Sequence, residues 1–370
     1  MRDRRDLLRG RRLGLVTNPT GRSRDGRSTI DVLHGEPAWH LVALFSPEHG
    51  IRGEAAAGQS VDSSVDEQTG LPIYSLYGAT TRPTDAMLDG LDALVYDIQD
   101  VGTRTYTYTS TLLEVLRAAA PRGLAVVVLD RPDPIGGEQV EGNVLDQRFV
   151  SFVGPAPIPM RNGLTIGELG KLFNAELGVG ADLTVVPLDS WRRSMWFDQT
   201  GLSWVNPSPN LRSLRAAALY PGGVLIEGTN LSEGRGTERP FEWFGAPFLD
   251  SASVAEALNA ASLPGLRFEA SDRTPDSSKF AGQVCHGVAI ELVDRLQLRP
   301  MELGVRLILA ARAVAPGRVQ ITASNFDRLA GTDQLREAIE AGRPLEDIVA
   351  GWQPALERFS ALREKYLLYR

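Results

Sequence analysis

Residues 93–130 read ALVYDIQDVGTRTYTYTSTLLEVLRAAAPRGLAVVVLD, and this stretch decides the fold. It begins and ends with short, almost continuous apolar runs, which are typical of strands that are buried on both faces of a sheet. Between the runs lies STLLEVLRAAAPRG (110–123), in which Leu112, Leu113 and Leu116 share one helical face and a proline and a glycine end the pattern. The stretch therefore predicts a β-α-β unit with two parallel strands.

The same alternation of apolar runs and helical patterns continues on both sides of this unit. The runs are LGLVTN (13–18), LVALFSP (41–47) and LTVVPLD (183–189). LTIGELGKLFNAEL (164–177) is an amphipathic helix that begins with a capping box. We therefore predict an α/β fold for residues 1–218, with a mostly parallel sheet covered by helices on both faces.

Residues 199–248 interrupt this alternation with many glycines, prolines, asparagines and aromatic residues. Beyond them helical and strand patterns are mixed, which indicates a smaller α+β domain over residues 219–370. Long loops that contain aromatic residues are more typical of function than of disorder, so we expect either a recognition loop that closes over the first domain or a hinge between the domains. The polar candidates in these loops are Asn206, Ser208, Glu227, Asn230 and Arg235.

Composition excludes several classes of partner. The chain has 370 residues, 43% of them hydrophobic, and a formal net charge of -7, so it lacks the basic surface that binds nucleic acid. The single cysteine, Cys285, excludes an internal disulfide. Neither a membrane-spanning segment nor the apolar core of a signal peptide is present in the sequence, which predicts a cytoplasmic protein without a membrane partner.

Polar residues follow each of the four apolar runs in the first part of the chain. They are Asn18, Glu48 with His49, Asp97 with Asp100, and Asp130 with Arg131. Because the carboxyl ends of parallel strands lie on one edge of a sheet, these side chains are expected to meet in one ligand site, where Gly50 and Gly53 let the backbone turn away from Glu48. The alternative is that each one is an ordinary helix cap or turn residue, but four together favour a shared site.

Two further segments carry candidate residues. Arg104 and Tyr106 follow the third run, and rings beside forked donors and carboxylates suit a polyhydroxylated ligand, although alternating threonine and tyrosine also describes an ordinary strand edge. Glu141 lies between glycines beyond the fourth run, in either a shaped loop or a solvated one.

Several well-known catalytic motifs are missing from the sequence. It has no GxGxxG after the first strand, no Walker sequence and no GxSxG, and its four histidines lack metal-ligand spacing. We therefore expect neither a cofactor nor a metal, and a metal-dependent phosphoryl or amide hydrolase is the least favoured possibility. Carboxylate acid-base chemistry is the leading catalytic option, with glycoside hydrolysis as its best-known form.

A set of long motifs resembles the NamZ-type exo-β-N-acetylmuramidases. These motifs are SPEHGIRG, LPIYSLYG, DIQDVGTRTYTY, VLDRPDPIGG, VEGN, GLTIGEL, NPSPN, YPGG, EGTNLSEGRGTERPFEWFGAP, CHGV, FDRLAGTD and REKYLLYR. The resemblance implies a Rossmann-like domain joined to a smaller C-terminal domain, with the active site in the cleft between them. It also implies release of N-acetylmuramic acid from the non-reducing end of peptidoglycan fragments, so the expected partner is a small saccharide.

The resemblance also implies roles for individual residues. Glu48 of SPEHG matches the family's glutamate and is expected to be the essential catalytic carboxylate, as a general acid or acid/base, while His49 orients it or binds sugar. The second carboxylate stays open among Asp100, Asp130, Glu141 and Glu227. Because muramic acid carries a lactyl carboxylate, one arginine is expected to pair with it. The candidates are Arg104, Arg131, Arg161 and Arg235.

A binding module without turnover is the alternative. A Rossmann-like domain that recognises a sugar or a nucleotide would account for the polar crevice, the arginines and the tyrosines equally well. It would not account for a glutamate placed beside an imidazole at the rim of the pocket.

Overall fold

The computed structural model describes residues 2–52, 55–56 and 58–370, so Gly53 lies outside the described residues. The strands are β1 (Arg12–Thr17), β2 (His40–Ser46), β3 (Ser64–Val65), β4 (Pro72–Ser75), β5 (Ala93–Asp97), β6 (Ala125–Leu129), β7 (Glu141–Val144), β8 (Pro159–Arg161), β9 (Leu183–Val186), β10 (Trp243–Ala246), β11 (Leu266–Ala270) and β12 (His286–Leu292). The helices are α1 (Thr29–His34), α2 (Asp85–Leu88), α3 (Tyr108–Ala119), α4 (Ile166–Glu176), α5 (Leu214–Gly223), α6 (Ser251–Ala260), α7 (Pro300–Val314), α8 (Ala323–Ala330), α9 (Gln334–Glu340) and α10 (Leu345–Arg363).

The main sheet has seven strands in the order β3-β4-β2-β1-β5-β6-β9. All its pairings are parallel except that of β3 with β4, which confirms the predicted mostly parallel sheet. From β1 the chain builds outward through β2 and β4 and then returns to add β5 on the other side of β1. The order therefore reverses between β1 and β5, and in sheets of this kind ligands bind outside the carboxyl ends of the strands near such a reversal.

Both faces of the sheet are covered, as predicted. On β6, Val126 and Val128 point to the face that packs with Leu112 and Leu116 of α3. Val127 points to the opposite face, where its cluster includes Ile30 and Leu33 of α1. Successive strand residues alternate between faces, so a continuous apolar run such as AVVVL is what a strand covered on both sides requires.

The C-terminal part is smaller and contains a three-stranded antiparallel sheet in the order β10-β12-β11, together with helices, which confirms the predicted α+β domain. The expected boundary near residue 218 falls inside α5 and stays a prediction. Gly222 of α5 and Gly304 of α7 bring these two helices into backbone contact: a Cβ added at Gly222 would lie 2.9 Å from the Gly304 nitrogen.

Candidate active site

Four neighbouring strands of the main sheet end at the same edge. Asn18 follows β1, Glu48 follows β2, Tyr77 follows β4, and Asp100 lies three residues beyond β5. The edge includes the point where the strand order reverses, so it is the part of the fold at which a ligand site is expected.

Glu48 is buried, with 7% of its surface exposed, and both of its carboxylate oxygens accept hydrogen bonds. The Thr107 hydroxyl donates to Oε2 at 2.6 Å and the Gly58 amide donates to Oε1 at 2.8 Å. Thr107 occupies the N-cap position of α3, so the carboxylate lies at the N-terminal end of that helix, where the helix dipole stabilises negative charge.

His49 holds the segment that covers Glu48. Its Nδ1 lies 2.8 Å from the carbonyl oxygen of Ala55, and because a carbonyl only accepts, Nδ1 carries the proton. The residue has a φ of 71°, a left-handed conformation that non-glycine residues rarely adopt. The contact of His49 with sugar stays a prediction.

Tyr77 also lies at this site, although it is not among the candidates predicted from the sequence. Burial, followed by the charge of Glu48 and a hydrogen bond with it, raises the pKa of Tyr77 to about 12. The strand-end argument that selected Glu48 applies equally to Tyr77, since it follows β4, and PIYS was too short to be counted as a strand.

Aromatic rings form one wall beside Glu48. Tyr106 makes edge-to-face contacts with Tyr108 at 5.0 Å and with Tyr220 at 5.7 Å, and Tyr220 continues the row to Phe241 at 4.9 Å. The charge of Glu48 contributes to the raised pKa values of both Tyr108 and Tyr220, after the larger effect of burial. All four rings are buried, so this row forms a packed boundary beside Glu48.

Glu227 reaches the site from the C-terminal part of the chain. Its Oε1 lies 2.8 Å from Nη2 of Arg235, which also approaches Glu233 at 3.5 Å. Although 23% of the Glu227 side chain is exposed, its carboxyl group lies among other side chains, and burial raises its pKa to about 7. The charges of Glu233 and Glu48 add to this rise, while Arg235 opposes it.

An open depression of about 560 Å³ adjoins the aromatic wall. Ser208, which hydrogen-bonds with Tyr106, is one of its lining residues. Asn206 accepts a hydrogen bond from Trp204 Nε1 at 3.1 Å, and both side chains line the same depression together with Arg22 and Arg52. Its volume is within the range of about 300–1,000 Å³ that is usual for small-molecule sites.

Comparisons with known proteins show the family. Two family models match, described as the N-terminal and the C-terminal part of exo-β-N-acetylmuramidase NamZ, over residues 13–215 and 218–369. The chain belongs to the NamZ family. It is 46% identical over 368 residues to the peptidoglycan β-N-acetylmuramidase NamZ of Bacillus subtilis (strain 168), a match that covers 99% of this chain and 89% of that protein.

Two solved structures from Bacteroides fragilis NCTC 9343, both described as DUF1343 family proteins, have the same fold. The first is 37% identical with a TM-score of 0.93, and the match covers 100% of this chain and 97% of that one. The second is 32% identical with a TM-score of 0.80, and the match covers 99% of this chain and 96% of that one.

Asp97 and Arg131, both expected to contact substrate, contact each other. Arg131 Nε lies 2.6 Å from Asp97 Oδ1 and its Nη2 lies 3.0 Å from Asp97 Oδ2. Both line a separate cavity of about 630 Å³ together with Thr29 and Trp39. The carboxylate of Asp97 is thereby neutralised, and the structure does not bring this pair into contact with Glu48.

Asp130, Asn18 and Asp100 accept hydrogen bonds from other groups of the protein. Asp130 accepts hydrogen bonds from the Thr165 hydroxyl at 2.7 Å, the Gly167 amide at 2.8 Å and the Tyr369 hydroxyl at 2.5 Å, so it joins α4 and the C-terminus to the end of β6. Asn18 Oδ1 accepts from both the backbone and the hydroxyl of Thr20. Asp100 accepts from the Gly102 amide at 2.9 Å, and burial raises its pKa to about 7.

Arg104 and Arg161 are buried inside the protein instead of lining the expected pocket. Arg104 donates to four backbone carbonyl groups, two of them at the C-terminal end of α8. Arg161 donates to the Gln139 side chain and the Ile135 carbonyl, and only 2% of it is exposed. The sequence could not distinguish such internal arginines from ligand-binding ones, because the residue type does not show in which direction the guanidinium group points.

Glu141 and Asn230 also make internal contacts. Glu141 accepts hydrogen bonds from the Met301 and Glu302 amides at the start of α7, and it faces a different cavity of about 480 Å³. Asn230 exchanges hydrogen bonds with the Arg318 carbonyl and the Gln320 amide.

Within the ranges that the structure describes, no cluster of three or more histidine, cysteine, aspartate or glutamate residues could hold a metal ion. In the same ranges, no helix has the length and apolar character needed to cross a membrane.

Proposed function

We propose that the protein is an exo-acting glycoside hydrolase that releases N-acetylmuramic acid from the non-reducing end of peptidoglycan fragments, with Glu48 and Glu227 as its two catalytic carboxyl groups. The similarity to the Bacillus subtilis enzyme supports the substrate class. The single observation that carries the mechanism is the burial of Glu48 at the edge where the strands end, with the Thr107 hydroxyl and the Gly58 amide donating to its carboxyl oxygens. Asp130 and Glu141 are engaged by backbone amides and side chains elsewhere, which makes Glu227 the stronger candidate for the second carboxyl group.

The surroundings of the two carboxyl groups favour different roles. Glu48 accepts two hydrogen bonds at a helix N-terminus, which suits the ionised partner that activates water or stabilises the positive charge developing on the sugar. Glu227, with its pKa raised to about 7, suits the general acid that gives a proton to the leaving oxygen. This assignment makes Glu227 the acid, the role that the motif resemblance alone attaches to Glu48.

In the proposed reaction the bond between the anomeric carbon and the bridging oxygen breaks. The proton of Glu227 goes to that oxygen, and water supplies the hydroxyl group of the released sugar. If the two carboxyl groups are about 5–5.5 Å apart when substrate is bound, the anomeric configuration is retained, whereas about 6.5–9.5 Å gives inversion.

The depression supports binding of a sugar. The ring of Trp204 lines it and suits the apolar face of a pyranose, and the hydroxyl and amide groups of Ser208 and Asn206, which also line it, suit the sugar hydroxyl groups. The depression has room for the part of the fragment beyond the cleaved bond.

The test is hydrolysis of the 4-nitrophenyl β-glycosides of N-acetylmuramic acid and N-acetylglucosamine, together with the disaccharide of the two sugars. We expect release of N-acetylmuramic acid from its glycoside and from the disaccharide, with little turnover of the glucosamine glycoside. NMR of the first-formed anomer then distinguishes retention from inversion. Tight binding of the disaccharide without any cleavage would reject the proposal in favour of a non-catalytic sugar-binding module.

A further inference from the structure

We infer that Arg328 is the residue that binds the lactyl carboxylate of N-acetylmuramic acid and so determines the preference for this sugar. This inference rests on the proposed function, and it concerns a residue that was not among the arginines expected from the sequence. N-acetylmuramic acid differs from N-acetylglucosamine by one lactyl ether, whose carboxylate is ionised near neutral pH. Discrimination between the two sugars therefore requires a cation placed beside the catalytic pair.

The cations already at the site are paired with its own carboxyl groups. Glu48, Glu227 and Glu233 are the carboxylates there, and their positive neighbours among the described residues are Arg235 and Lys279. Both cations are engaged: Arg235 pairs with Glu227 at 2.8 Å, and Lys279 lies 3.2 Å from Glu233 and donates to the carbonyl groups of Ile226 and Leu231. Neither cation is therefore available to pair with the carboxylate of a substrate.

The arginines expected from the sequence have their guanidinium groups directed elsewhere. Arg131 pairs with Asp97, while Arg104 and Arg161 are buried and donate to groups of the protein interior. Arg235 is held between two glutamates. Moving any of them onto a substrate carboxylate would break an existing ion pair or leave buried acceptors without a donor, and each such loss opposes binding.

Arg328 is exposed and lies on α8, beside the Glu227 segment. Its Nη2 donates to Asn325 Oδ1 at 2.8 Å, and the Asn325 amide donates to the Glu227 carbonyl at 3.1 Å. In the described part of the chain, no carboxylate lies within ion-pair distance of its guanidinium group. The positive charge of Arg328 acts to lower the pKa of Tyr77, against the larger effects of burial and of the Glu48 charge.

Helix α8 is fixed at both ends, which holds Arg328 in place. At its start the Thr322 amide donates to the Gly228 carbonyl at 2.8 Å, and Gly228 packs directly on the Phe326 backbone. At its end the buried Arg104 donates to the carbonyl groups of Leu329 and Ala330, at 3.2 and 2.7 Å. Arg104 is thus a positioning residue for the helix that carries Arg328. A donor on a fixed helix loses little conformational freedom when it binds.

The experiment compares 4-nitrophenyl N-acetylmuramic acid with its lactyl methyl ester, which differs by one added methyl group and lacks the negative charge. For the unaltered protein we expect the free acid to have a KM about tenfold to a hundredfold below that of the ester, since a charge-assisted pair is lost in the ester. Arg328→Ala should raise the KM of the acid by a similar factor with little change in kcat, and it should leave the ester unaffected. Arg328→Lys should recover part of the difference in KM between acid and ester, because lysine keeps the positive charge but lacks the planar guanidinium group that can bond both carboxylate oxygens.

The matched control is Arg358→Ala, which removes an exposed arginine from α10 and should leave both substrates unchanged. If Arg328→Ala and the unaltered protein discriminate equally between acid and ester, the inference is wrong while the proposed function stands. If the unaltered protein cleaves neither glycoside, the proposed function itself has failed. A parallel loss of kcat on both substrates would mean a structural role for Arg328 and would also overturn the inference.

Discussion

Glu48 and Glu227 carry the same functional group in different surroundings. Glu48 is bonded by a hydroxyl and an amide at the N-terminus of α3, whereas Glu227 has one guanidinium partner and two other glutamates nearby. Hydrogen-bond donors favour the charged form of a carboxyl group, and burial beside like charges favours its neutral form. The proposed mechanism uses this difference, with Glu227 as the proton donor and Glu48 as the second carboxyl group, the pair that glycoside hydrolysis needs.

Glu227→Gln should separate substrates by their leaving groups. On the disaccharide, whose leaving oxygen needs a proton, we expect kcat/KM to fall by about 10²–10⁴-fold. On the 4-nitrophenyl glycoside the loss should be much smaller, because nitrophenolate leaves without protonation. The unaltered protein should lose activity on the disaccharide as pH rises above about 7, where Glu227 gives up its proton. The variant should not show this loss of activity with rising pH.

The control for this variant is Glu238→Gln, which changes an exposed glutamate of the same loop, with 69% of its side chain accessible. It should leave both kcat/KM values unchanged. Equal losses on the two substrates with Glu227→Gln would contradict the assignment of Glu227 as the general acid.

The sequence predicts which residues end the strands better than it predicts what each one contacts. Glu48 was selected because it follows a buried run, and the structure brings it to the strand-end edge beside Tyr77 and Thr107. Arg104 was selected on the same grounds, yet its guanidinium group turns inward to carbonyl groups that are 39 to 226 positions away in the chain. Such distant partners leave no local signal in the sequence, so the direction of a long side chain could not be inferred from spacing.

At the scale of elements, the prediction of strands and helices worked where the hydrophobic pattern was long. The β5-α3-β6 unit is present as predicted, because its two apolar runs and one amphipathic helix each have a clear period. The short pieces β3, β4, β7 and β8 were missed, since two to four residues are too few to establish a period. Two of these, β4 and β7, lead directly to Tyr77 and Glu141, so the missed elements also carry residues of functional interest.

The contact between α5 and α7 allows a test of how closely the C-terminal helices pack. Gly222→Ala should destabilise the protein by about 1–3 kcal/mol or more, since its Cβ would overlap the Pro300 carbonyl oxygen, and backbone cannot move aside as a side chain can. The measurement is the free energy of unfolding in urea. Gly351→Ala is the matched control: this helical glycine of α10 has open space around it, and the change should stabilise the protein by about 0.5–1 kcal/mol. Equal stabilities for Gly222→Ala and the unaltered protein would show that the two helices do not pack this closely.

At the scale of the whole molecule, the protein buries several carboxyl groups. Burial raises the pKa values of Asp100, Asp133 and Glu141 to about 7, and that of Asp130 to about 6. A group whose pKa is higher in the folded state than in the unfolded state binds its proton more tightly when folded. Its contribution to stability is therefore complete below the unfolded value near 4 and is lost as pH rises to about 7.

Asp133→Asn should flatten this pH dependence. Between pH 5 and pH 8 the unaltered protein should lose on the order of 2 kcal/mol more stability than the variant, which no longer titrates at this position. Urea unfolding at pH 5, 6.5 and 8 measures the difference. Asp89→Asn, an exposed position with 86% of its side chain accessible, should follow the unaltered protein. Parallel pH dependences for Asp133→Asn and the unaltered protein would exclude a raised pKa at Asp133.

The most direct measurement of the central claim is the rate at which Glu48→Gln cleaves the disaccharide and the 4-nitrophenyl glycoside of N-acetylmuramic acid. Glutamine keeps the size of the side chain and removes its charge. We predict a protein with an unchanged unfolding temperature, within a few degrees, and a loss in kcat of at least about a hundredfold on both substrates. A folded Glu48→Gln protein that releases N-acetylmuramic acid at the unaltered rate would contradict the account.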